Sequence, residues 1–98
     1  MFVKISVTEK DIAKGRRDDC VACPIALAIK RTLPNVEQIN VTASNFSLIG
    51  RDKRGTRCYE GGFLPFAVRF FIIRFDNGRT VQPFEFEIEV DECFALTN

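Results

Sequence analysis

Apolar and polar residues alternate from Phe2 to Val7, with Val3, Ile5 and Val7 set against Lys4 and Ser6, and the β-branched content predicts a first strand. Thr8 followed three positions later by Asp11, then Ile12-Ala13-Lys14-Gly15, reads as an N-cap, an acidic first turn, a helix of one or two turns and a glycine stop. Arg16-Arg17-Asp18-Asp19 is a charged connector in which Asp18 or Asp19 is placed to cap a second helix. That helix is expected from Pro24 to about Leu33, where Pro34 ends it. Its buried stripe would be Ile25, Leu27, Ala28, Ile29 and Leu33, with Lys30 and Arg31 near the negative end of the helix dipole.

The second half reads mainly as strands. Val36 to Ala43 is β-branched and half polar, and Phe46 to Gly50 offers a further strand. Asp52-Lys53-Arg54-Gly55 is a turn, so Phe46–Arg51 and Thr56–Glu60 should form a hairpin that Gly61-Gly62 breaks. Leu64 to Gly78 has an ambiguous period. Read as a helix it starts at Pro65, stops at Gly78 and carries a stripe of Phe66, Phe70 and Ile73 beside Ala67 and Phe71. Read as a strand it would be fully buried, and length and punctuation favour the helix. From Val81 to Val90, Phe84, Phe86, Ile88 and Val90 alternate with Glu85, Glu87 and Glu89, the pattern of a half-buried strand, and Pro83 marks an edge or a beginning. The expectation is one compact α+β domain over residues 1–98. Its largely antiparallel sheet has about four to five strands, with two main helices packed on one face.

Composition narrows the function classes. At 46% hydrophobic and 28% charged, the 98 residues are ordinary globular material, and a net charge of +1 provides no global field toward nucleic acid or anionic membrane. Ten Phe, one Tyr and no Trp point to aromatic residues used for packing rather than for binding. Neither a secretory leader nor an apolar run of membrane-spanning length is read in the chain, so the expected setting is intracellular, with the four cysteines reduced rather than paired.

The chemistry-bearing residues are few. Cys20 and Cys23 straddle the mouth of a helix, where positive partial charge favours thiolate, and this spacing can serve a redox dithiol. Against that, Pro24 follows the pair instead of lying inside it, and a charged connector stands where a redox fold would place a strand. A four-thiolate zinc site would have to add Cys58 and Cys93, which are not a close pair, and the chain has no His to substitute. The plainer reading packs Cys23, Cys58 and Cys93 as small apolar residues. Without His, a hydroxyl or thiol nucleophile lacks its usual base, so no enzyme and no cofactor are expected.

Two charged surfaces remain. Glu85, Glu87, Glu89, Asp91 and Glu92 form an acidic row, in the first instance a solvated face but also the strongest local field and a fit for a basic partner. Arg51, Lys53, Arg54 and Arg57 cluster at the hairpin turn. Without interleaved exposed aromatics they are thin support for nucleic-acid binding and suit a soluble turn or an acidic protein partner.

Asp11-Ile12, Gly15, Cys20-x-x-Cys23-Pro24-Ile25-Ala26-Leu27-Ala28, Leu64-Pro65 and Phe75-Asp76-x-Gly78-x-x-Val81-x-Pro83-Phe84-x-Phe86 together resemble a family of small bacteriophage and prophage proteins with no assigned activity. The resemblance spans nearly the whole chain. It implies a compact α+β domain in the host cytoplasm, with no enzyme activity, that binds a host protein and in the strongest form inhibits a host defence complex, as anti-CRISPR proteins do. Nucleic acid is disfavoured as a partner, no membrane is implied, and a homodimer through exposed strand edges is compatible with the pattern. The competing classes are a cysteine-based redox or structural zinc protein, centred on Cys20 and Cys23, and a nucleic-acid module using the basic hairpin.

Overall fold

A computed structural model describes residues 1–94. The elements run β1 (Phe2–Val7), α1 (Glu9–Lys14), α2 (Pro24–Thr32), β2 (Val36–Val41), β3 (Asn45–Arg51), β4 (Arg57–Phe63), α3 (Phe66–Asp76), β5 (Phe84–Glu89) and a short 3-10 turn at Glu92–Phe94. The α+β class and the antiparallel pairing match the expectation. The strands divide into two sheets, however: β1 pairs only with β5, while β2, β3 and β4 form a meander. A two-stranded ribbon needs apolar cover to be stable. The second sheet and the helices supply it through a shared core that includes Ile5, Ile25, Ile29, Leu48, Ile88 and Phe94.

The short helix α1 starts as its sequence dictates. Thr8 and Asp11 form a reciprocal capping box at α1. Asp11 is also buried, and the Arg31 guanidinium from the end of α2 donates to both of its carboxylate oxygens and to the Ser6 carbonyl. This ties α1, α2 and β1 together. Gly15 ends α1 in extended geometry, without the left-handed conformation common at glycine stops. The requirement there is space, because a Cβ would strike the Pro24 ring that packs over it.

The expected cap of α2 needs correction. Cys23, not Asp18 or Asp19, occupies the N-cap, its Sγ accepting from Ala26 N–H. Asp19 caps the preceding turn instead, with Oδ1 accepting from Val21 and Ala22 N–H at 3.0 Å each. Asp18 has a positive φ of 54° and donates its N–H to the Asp76 carboxylate of α3. In the buried face of α2, Ala26 is fully enclosed and Leu27 only half so.

Gly61-Gly62 does not break β4, which pairs with β3 through Phe63. The poor strand propensity of glycine is overridden by an intact ladder to its neighbour. The helical reading is correct over residues 66–76, and of its apolar stripe only Phe71 is buried. Val68, Phe71 and Ile72 turn inward, while Phe66, Phe70 and Ile73 turn out. An aromatic series anchors the inner face: Phe71 meets Phe84 of β5 at 5.0 Å between centroids, and Phe84 meets Phe86 at 5.6 Å.

Candidate functional site

Cys20 and Cys23 lie at the entrance of α2 beside a cleft of about 210 Å³, which Asp19, Ile72 and Asp76 also line. Their environments differ. Cys20 is exposed, with Sγ accepting from Asn40 Nδ2, and its carbonyl accepts the Val41 N–H and so fastens the loop to β2. Cys23 is buried. Burial pushes its thiol above the ordinary value, the N–H groups of Ala26 and Ile25 offset this only in part, and the carboxylates of Asp76 and Asp19 push the same way. The helix mouth therefore does not produce the expected thiolate at Cys23, since desolvation outweighs the dipole. Under native conditions a maleimide is expected to label Cys20, with Cys23 reacting only on unfolding; intact-mass analysis before and after denaturant checks this.

Cys58 and Cys93, read from the sequence as separate packing residues, meet in the structure. Cys58, on the inner face of β4, and Cys93, in the 3-10 turn, bring their sulfurs together with Cα atoms 6.1 Å apart, a separation that a disulfide can span. Sequence spacing could not show this, because the pair is 35 positions apart and only the closing of the C-terminus onto the sheet brings it together. The four sulfurs do not converge, and among the described residues no group of three or more His, Cys, Asp or Glu side chains is placed to hold a metal.

The acidic row lies where the alternation puts it, on the exposed face of β5, opposite Phe2, Lys4 and Ser6 of β1. Glu85 is partly neutralised: Lys4 Nζ lies 3.3 Å from it, Ser6 Oγ donates to it, and these partners, Lys4 first, hold its carboxyl below the usual range. Glu87, Glu89 and Glu92 are exposed and form no salt bridge among the described residues. Asp91 is exposed too, with Oδ1 accepting from Cys93 N–H to open the 3-10 turn.

The basic residues occupy the opposite kind of position, a hairpin tip. Arg51 is paired to Glu37 at 3.4 Å and donates to the Gly55 carbonyl, while Asp52 holds the turn by accepting from Arg54 and Thr56 N–H at 2.9 Å each. Lys53, Arg54 and Arg57 stand exposed.

A third surface was missed in reading the sequence. Phe66, Phe70 and Ile73 are 69%, 53% and 49% exposed along one side of α3, and Phe63, just before the helix, is 78% exposed. The Phe66 and Phe70 rings meet edge to face at 4.9 Å. The signal was present as an apolar stripe at i, i+4, i+7, but the same helix carries a second apolar set, and periodicity does not say which one faces the core. No family model, curated protein or solved structure matches this chain. Its function is therefore argued from these surfaces. They offer contact area and charge, not a nucleophile with its base.

Proposed function

We propose that this chain is a non-enzymatic interaction protein of the phage accessory kind, acting in the host cytoplasm by binding a host protein and, in the strongest form of the reading, inhibiting a host defence complex. The observation that carries it is the α3 stripe. A chain with ample buried apolar residues nonetheless leaves three bulky ones in a row on the outside of a helix, and contiguous exposed apolar surface of this kind marks binding sites. Arg69 and Arg74 flank the stripe and suit a partner with acids around an apolar face. The motif resemblance to small phage proteins points the same way. No helix among the described residues is long and apolar enough to cross a membrane.

The test is a Phe66→Ser, Phe70→Ser double variant used as bait beside the unaltered protein in host lysate, with phage plating on a defence-bearing host as the functional readout. Loss of a specific host complex and of protection from the defence system, with stability changed by no more than about 0.5 kcal/mol, is the expected result for surface substitutions. Identical capture by both baits would remove α3 as the binding face.

A further inference from the structure

The edge strands β5 and β4 each leave one side without a partner strand among the described residues, and both border one cleft. Just beyond β5, the Met1 ammonium donates to the Val90 carbonyl and Val90 N–H to the Met1 carbonyl, each at 2.8 Å. Bonded pairs alternate along an antiparallel ladder, so Val3/Ile88, Ile5/Phe86 and Val7/Phe84 are the others. The main-chain groups of Glu85, Glu87 and Glu89 therefore point to the opposite edge, where no strand lies among the described residues. In β4, the bonds from Asp52 N–H to the Thr56 carbonyl and from Leu64 N–H to the Ser44 carbonyl set the same alternation. This leaves Tyr59, Gly61 and Phe63 facing the open edge. Gly61 and Phe63 of β4, with Glu87 and Glu89 of β5, line a single cleft of about 620 Å³ that Phe46 and Ile88 also border.

We propose that this cleft receives an extended segment of a partner protein, with basic and apolar residues alternating, added as a strand along β5. Unpaired edges recruit strands through main-chain hydrogen bonds, and pockets for alternate side chains select the sequence. On the solvent face an added strand would lay every second side chain beside Glu85, Glu87 and Glu89, where Lys or Arg fits. The intervening side chains would turn toward Ile88 and Phe46, where apolar residues fit. Glu60, Asp91 and Glu92 line the same cleft, and none of these carboxylates except Glu85 is in a salt bridge among the described residues. The nearby cations are already engaged, the Met1 ammonium by the Val90 carbonyl and Lys4 by Glu85. A second copy docking edge to edge through β5 would set one acidic row against another, which opposes self-pairing.

The proposal rests on the interaction reading above but not on the α3 stripe. The probe is a capped octapeptide of alternating lysine and valine, with an alternating glutamate and valine peptide as control, followed by NMR titration and amide hydrogen exchange. The expected result is binding of the basic peptide alone, with new protection at the Glu87 and Glu89 amides. Glu87→Pro removes an edge N–H without touching the β1 ladder, and should weaken binding by about tenfold or more. Glu87→Gln should weaken it by only about threefold, the scale of one exposed charge pair. Phe66→Ser, Phe70→Ser should bind the peptide unchanged, which separates this site from α3. Absence of binding, binding without that protection, or undiminished binding to Glu87→Pro overturns the proposal, as does a dimer in which the edge amides are already protected. If Glu87→Pro fails to fold, the exchange pattern of the unaltered protein decides.

Discussion

Phe94→Ala is expected to cost about 3–5 kcal/mol, a large share of the roughly 5–15 kcal/mol that holds a domain of this size together. Phe94 is fully buried, although it lies in a short 3-10 turn at the end of the described chain. Its ring sits against Gly50 of β3, where an added Cβ would come within 3.0 Å of it and would collide with the Asn35 carbonyl oxygen. The Asn35 side chain in turn donates to the Cys93 carbonyl at 3.0 Å and the Arg51 carbonyl at 3.2 Å. The turn thus closes the open end of the three-stranded sheet, and truncating the ring leaves a cavity that the rigid hairpin beside it cannot fill. Urea unfolding of the two proteins measures the difference. A loss under about 1 kcal/mol would mean that the C-terminal turn is not part of the core.

Asp11→Asn should destabilise the protein by about 2 kcal/mol at neutral pH, with a loss that shrinks in acid. Burial alone would raise the Asp11 carboxyl, but hydrogen bonds from Arg31, from Thr8 N–H and from the Thr8 hydroxyl, together with the Arg31 charge, outweigh it and hold the group below its ordinary value. A carboxyl lowered in the folded state contributes stability above its unfolded value and loses it as pH falls through the folded one. Unaltered protein should therefore weaken as the pH falls through and below the ordinary aspartate range, and the gap to Asp11→Asn should close over the same fall. The magnitude is moderate because the Arg31 side chain is half exposed while Asp11 is not, so solvent screens one end of the pair. A gap that stays constant with pH would show that the hydrogen-bond geometry, and not the charge, carries the effect.

Local rules were enough for much of this chain. The alternation of Val3, Ile5 and Val7 against Lys4 and Ser6, and of Phe86 and Ile88 against the glutamates, set strand and facing together, because a strand has two faces and only one was apolar. Thr8 and Asp11 specified a cap from four adjacent residues, and Asp52 to Gly55 specified a turn in the same way. Each of these depends on atoms a few positions apart. Partners far along the chain were out of reach of such rules: the split into two sheets, the meeting of Cys58 with Cys93, the Asp11–Arg31 pair and the outward turn of Phe66, Phe70 and Ile73. A helix apolar on both sides carries no internal instruction about which side to bury, and here Phe84 of β5 chose by offering Phe71 a tilted aromatic partner. Likewise the CxxCP spacing specified a helix entrance. Its thiol chemistry was decided by packing, which buried Cys23 and left Cys20 in solvent, because desolvation depends on what the rest of the fold places around a group.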